Sequence, residues 1–84
     1  MIDSVIVTLR TTDGKHSVDM ELPAQLPIGE LEPRLLSAVK EKTSLAKAFS
    51  SSHRISLIYK GRLLEANTTL EAEAVWDGSI LIVR

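Results

Sequence analysis

Ser79-Ile80-Leu81-Ile82-Val83 is apolar on both strand parities. A strand with one wet face alternates apolar and polar residues, whereas a strand enclosed by neighbours reads as a continuous apolar run. The segment therefore predicts a central strand, and it places the middle of a sheet at the C-terminal end of the sequence. Asp77-Gly78, just before it, is a turn signal.

The opposite end of the chain supplies a hairpin. In Val5-Ile6-Val7-Thr8-Leu9-Arg10, Val5, Val7 and Leu9 share one parity and Ile6, Thr8 and Arg10 the other, the period of two that marks a strand. Asp13-Gly14-Lys15 follows, and Gly14 readily takes the positive φ of a hairpin turn. Val18, Met20 and Leu22 then alternate with Asp19 and Glu21 in a second strand with one polar face. Pro23 has no N–H to donate and is expected to end that ladder. After Ala24-Gln25-Leu26-Pro27 the apolar period becomes about 3.6, with Ile28, Leu31, Leu35 and Val39 widened by Leu36. This predicts a helix over residues 29–42, acidic early (Glu30, Glu32) and basic late (Lys40, Lys42), as the helix dipole prefers. Pro33 fits if it falls in the first turn and kinks the helix otherwise.

Residues 43–53, with Ser50-Ser51-Ser52, have loop composition, and Leu45 and Phe49 are expected to plug the bottom of the core. Ile55, Leu57 and Tyr59 alternate with Arg54, Ser56 and Ile58 in a third strand. Lys60-Gly61 turns the chain into a short fourth, Arg62-Leu63-Leu64. Asn67-Thr68-Thr69-Leu70 reads as the cap and start of a single helical turn. One helix stripe across one face of a mixed sheet buries these apolar sets together, and a right-handed crossover sets the last strand beside and parallel to the first. The expected fold class is α+β: a β-grasp, a mixed sheet of about five strands packed on one α-helix, with residues 1–84 forming a single domain.

Composition narrows what such a domain does. The 84 residues are 44% hydrophobic and 25% charged, ordinary globular usage. Ten Lys+Arg against eleven Asp+Glu leave a net charge of -1, so neither nucleic acid nor an anionic bilayer is an expected partner. There is no cysteine, which excludes disulfides and thiolate chemistry. The longest apolar run, Ile80 to Val83, is too short for a signal peptide or a membrane span, so direct membrane insertion is not expected.

No enzyme is expected either. His16 and His53 lie in separate loops without a carboxylate at ligand spacing, so neither a metal nor a catalytic base is implied. Ser50-Ser51-Ser52 lacks the strand-elbow-helix setting of a nucleophile. Glu71 and Glu73 read as a solvated turn rather than an acid/base pair. Gly14, Gly29, Gly61 and Gly78 are isolated and make no phosphate cradle, and no cofactor is expected.

Two segments carry a family resemblance. Leu57-Ile58-Tyr59-Lys60-Gly61-Arg62-Leu63-Leu64-Glu65, followed by Thr69-Leu70 and Asp77-Gly78-Ser79-Ile80-Leu81, resembles the second half of ubiquitin-like domains. Asp19-Met20-Glu21-Leu22-Pro23-Ala24-Gln25-Leu26-Pro27-Ile28 resembles the hairpin-to-helix crossing of the YukD/EsaB family, ubiquitin-like proteins encoded with bacterial type VII (WXG-type) secretion systems. Related EccD membrane components carry a similar soluble domain at their N-terminus. The resemblance covers nearly the whole chain. It implies a protein–protein interaction module, accessory to or regulating a type VII secretion system, working in the cytoplasm or at the inner face of the membrane through a protein partner there. A second implied reading is the soluble N-terminal domain of an EccD-like transporter subunit. A ubiquitin-like modifier would need a flexible Gly-Gly tail; the sequence ends Ile82-Val83-Arg84, so conjugation is expected only if such a tail followed Arg84.

Strand parity then names a surface. If Val5, Val7, Leu9, Leu57, Tyr59, Leu81 and Val83 face the helix, then Ile6, Ile58, Ile80 and Ile82 face outward. The first, third and last strands of a β-grasp are neighbours, so these isoleucines are expected to cluster and to bind the partner. Ile58 falls where the resemblance places the exposed isoleucine of the ubiquitin-like binding patch. Scattered surface isoleucine is also ordinary in sheets. Burying each of two or three of them would contribute roughly 1.5–3 kcal/mol before association costs. Nothing in the sequence fixes an oligomeric state.

Overall fold

The computed structural model describes residues 3–42 and 45–84; Met1, Ile2 and the first two residues of the expected 43–53 loop, Thr43 and Ser44, lie outside the described residues. The chain runs β1 (Ser4–Thr11), β2 (Ser17–Pro23), α1 (Ile28–Lys42), β3 (Leu57–Tyr59), β4 (Arg62–Leu63) and β5 (Ile80–Val83). The sheet order is β2-β1-β5-β3-β4. β5 is central, parallel to β1 and antiparallel to β3, as its two-sided apolar run predicts. This is the mixed β-grasp sheet.

The core joins both periodicities. Val5, Val7, Leu9, Leu57, Leu81 and Val83 are buried against Ile28, Leu31, Leu35, Leu36 and Val39 of the helix, and Leu45 and Phe49 close the bottom. Tyr59 shares the inner face but is only half-buried, its hydroxyl 3.4 Å from the Ala74 carbonyl. Ile55 is buried just ahead of the strand, and the pairing there continues as Ser56 and Arg84 exchange backbone hydrogen bonds.

Several boundaries differ from expectation, for local reasons. The first hairpin is not a two-residue turn: the Thr11 N–H donates to the His16 carbonyl and closes a wider loop, with Asp13 accepting from the Thr11 hydroxyl and the Lys15 N–H. Those bonds hold the Asp13 carboxyl below its ordinary pKa. Pro23 remains paired with Ser4 because its nitrogen faces the open edge of the sheet, where no N–H is required. Lys60 and Gly61 both take positive φ, 52° and 78°, the twist of a tight two-residue hairpin between β3 and β4. The short turn after β4 is capped within the expected segment, by Thr69, whose hydroxyl accepts from the Ala72 N–H.

The helix begins at Ile28, so Pro33 is its sixth residue, beyond the first turn, and the helix nevertheless continues unbroken to Lys42. Its start is fixed from a distance: the Ile28 N–H donates to the Thr68 carbonyl at 2.8 Å and the Gly29 N–H to the Ala66 carbonyl at 2.9 Å. These bonds satisfy two N–H groups that a helix leaves orphaned at its first turn. Gly29 allows a close approach here: a Cβ there would lie 3.1 Å from the Ala66 Cβ and 3.3 Å from its carbonyl oxygen.

Candidate interaction surface

The outer face of the sheet is built in rows by strand register. Ile58 on β3 stands opposite Ile82 on β5. On the far side of β3, Ile58 also pairs with Leu63 of β4. Directly paired residues share a face, so Leu63, Ile58 and Ile82 make one aliphatic row across three strands. Arg10 of β1, opposite Ile82, ends it with a cation. In the next row Ile80 stands opposite Thr8, and Ile6 lies diagonally from Ile80, two positions along β1.

The four isoleucines are therefore brought onto adjoining strands, but their exposure is unequal. Ile6 is 52% exposed and Ile80 42%, while Ile58 and Ile82 are half-buried in the middle of the sheet. Two further apolar side chains were not singled out in the sequence. Leu63 is 56% exposed at the edge of the row, and Trp76 is 55% exposed on the turn leading into β5. Pairing Leu63 with Ile58 requires knowing that the Lys60-Gly61 turn is two residues long. Trp76 carries no strand or helix periodicity that could have signalled its exposure.

The Trp76 turn is anchored to the patch. The Ile6 N–H donates to the Asp77 carboxylate at 2.8 Å, and the Gly78 N–H donates to the Ile6 carbonyl at 2.8 Å. Ser79 braces the same turn, its hydroxyl accepting from the Trp76 N–H and its own N–H donating to the Trp76 carbonyl. The face thus pairs aliphatic surface with an exposed indole carried on a hydrogen-bonded turn.

The polar groups singled out in the sequence do not converge. His16 and His53 are exposed, and among the described residues no three His, Asp or Glu side chains come together as a metal site would require. Glu73 pairs with Arg62 and accepts from the Thr68 hydroxyl, while Glu71 accepts from the Gln25 side chain. Glu32 faces an open depression of about 370 Å³ between the helix start and the entry to β3. Partial burial raises its carboxyl pKa, opposed by the hydrogen bond from the Leu57 N–H and by the charge of Arg54. No described helix is long and apolar enough to cross a membrane.

Residues 4–83 match the model of the family described as YukD, a protein of the WXG100 protein secretion system (Wss). No curated protein matches the sequence. The fold is similar to the ubiquitin-like domain of EccD5 from Mycobacterium xenopi, with 22% identity and a TM-score of 0.76 over 99% of this chain and 94% of that one. The ubiquitin-like domain of the Mycobacterium tuberculosis type VII secretion protein EccD1 is 20% identical, with a TM-score of 0.72 over 98% of both chains. A chain of the MycP5-free ESX-5 inner membrane complex is 23% identical with a TM-score of 0.76; the match covers 99% of this chain but only 21% of that one, so this chain spans about a fifth of its length. A de novo design based on ubiquitin is 25% identical with a TM-score of 0.65, over 100% of this chain and 90% of the design.

Proposed function

This chain belongs to the YukD family of WXG100 protein secretion systems, and from that premise we propose that it is a non-conjugated ubiquitin-like docking module, accessory to a type VII secretion apparatus. It acts by seating the outer face of its sheet on a protein component of that apparatus, at the inner face of the membrane. The observation that supports this reading is the row Leu63–Ile58–Ile82, flanked by Ile80, Ile6 and Trp76. A partly exposed aliphatic and aromatic cluster on a sheet is the composition expected of an interface core.

The test is capture of secretion-system components by the tagged chain in a cell that carries the system, with wild-type, Ile80→Glu and Ile58→Glu baits. Wild type retains a component and both variants lose it while remaining folded, Ile80→Glu melting close to wild type. Equal capture by folded variants would overturn the reading.

The likeness to EccD domains favours a second reading, the soluble domain of an EccD-like subunit, since TM-scores of 0.72–0.76 exceed the 0.65 of the ubiquitin-based design. An antibody raised against the chain separates the two. A band near 9.2 kDa supports the accessory protein, and a much larger membrane-bound band supports the subunit.

A further inference from the structure

β2 is an edge strand, and its register shows which backbone groups face outward. The hydrogen bonds Thr11 N–H to His16 carbonyl and Ala24 N–H to Asp3 carbonyl fix the alternation. Val18, Met20 and Leu22 therefore spend their N–H and C=O groups on β1, while Asp19 and Glu21 turn theirs away from the sheet. Among the described residues no strand pairs with that side. Such a row of unpaired donors and acceptors is a template for another strand.

The two sides of this edge differ in chemistry. On the helix side, Met20 and Leu22 with Leu31, Leu35 and Ala38 line an open, mainly apolar groove of about 220 Å³, rimmed by the exposed guanidinium of Arg34. On the outer side stand two carboxylates. Asp19 is held by the Thr8 hydroxyl at 2.7 Å and Glu21 by the Ser4 hydroxyl at 2.6 Å, so both charges are already positioned along the edge.

We propose that the β2 edge binds an extended peptide segment of a protein partner, adding it to the sheet as a sixth strand. Its alternate side chains are aliphatic, entering the groove, and basic, lying along Asp19 and Glu21. Arg34 sets the orientation by repelling basic side chains from the groove side. The same charges disfavour a second copy of this chain, because antiparallel β2–β2 pairing would set the carboxylates of Asp19 and Glu21 beside those of the other copy.

The probe is the synthetic peptide acetyl-Lys-Val-Lys-Ile-Lys-Val-Lys-amide, titrated into the isotope-labelled full chain and followed by amide NMR. Saturable shifts are expected at the Asp19 and Glu21 amides and along Leu31 to Ala38. The Asp19→Asn/Glu21→Gln variant, which keeps both hydrogen-bond acceptors, is expected to bind at least tenfold more weakly, and so is the peptide with glutamate in place of lysine. Two N-methylated peptides, one methylated on the lysine amides and one on the aliphatic amides, complete the test. An added strand turns only one set toward β2, so one version loses binding and the other keeps it. Shifts confined to Ile58, Leu63 and Ile80, equal binding by both methylated peptides, or no saturation at millimolar peptide would overturn the proposal. The outer-face reading is tested separately, by capture with the Ile58 and Ile80 variants, so the failure of one reading is distinguishable from the failure of the other.

Discussion

The Glu32 carboxylate accepts a hydrogen bond from the Leu57 backbone N–H, 3.3 Å away, and so ties the first half of the helix to the start of β3. The Leu57 carbonyl accepts from the Leu64 N–H, so Glu32 serves the neighbouring N–H at the point where β4 has ended.

The partial burial of Glu32, which outweighs that hydrogen bond, predicts a pH-dependent stability difference. Burial raises the Glu32 pKa, so the folded protein holds this proton more tightly than the unfolded chain. Its contribution is therefore fully present below the ordinary glutamate pKa and is lost as pH rises through the folded value. Glu32→Gln keeps an acceptor for Leu57 without the charge. In chemical denaturation its stability relative to wild type rises from pH 4 to pH 7. Glu32→Ala leaves the N–H without this acceptor and costs about 1–3 kcal/mol. A Gln-to-wild-type difference that does not change with pH would contradict the assignment.

The approach of Gly29 to Ala66 makes a second prediction. Alanine is ordinarily the better helix former by about 1 kcal/mol, yet here its methyl would crowd Ala66 at 3.1 Å. Gly29→Ala is expected to destabilise, Gly29→Val to do so by more than 2 kcal/mol, and Ala66→Gly to relieve part of the Gly29→Ala loss. A double-mutant cycle by urea denaturation should return a coupling of about 0.5 kcal/mol or more.

The two faces of β5 should respond oppositely to truncation. Leu81 and its inner-face neighbour Leu57 are fully buried, and changing either to Ala costs about 2–5 kcal/mol. Ile80→Ser, on the outer face, is expected to cost under about 1 kcal/mol by thermal melting. Comparable losses at both positions would mean that the outer face is packed, not free.

Trp76 is the only tryptophan, and it is more than half exposed beside the outer patch. Docking of a partner on this face should shift its fluorescence to shorter wavelength, and Ile6→Ser should weaken that response while leaving the free protein's spectrum unchanged.

Elements whose cause is local periodicity were legible in the sequence. The alternation of Val5, Val7 and Leu9, the stripe Ile28, Leu31, Leu35 and Val39, and the doubly apolar β5 each encode a face, and together they fix the sheet and its helix. The start of α1 was not legible, because its first N–H groups are capped by Ala66 and Thr68, carbonyls far along the chain that no window around Ile28 contains. The outward set Ile6, Ile58, Ile80 and Ile82 followed from parity, but not the graded exposure within it, which depends on strand order. Leu63 and Trp76 joined the surface through turn geometry, and the groove beside β2 exists only once the helix lies next to that strand.

The central place of β5 also sets the order of events during synthesis. The strand that separates β1 from β3 is formed by residues 80–83 and is translated after the other four strands. While these residues are still in the ribosomal exit tunnel, the emerged chain can form two unconnected hairpins and a helix with nothing to bridge them. Such non-local closure is slow by nature, so this domain should acquire its fold only once Ile80–Val83 have left the tunnel, and a nascent chain stalled before Ile80 should remain open to protease.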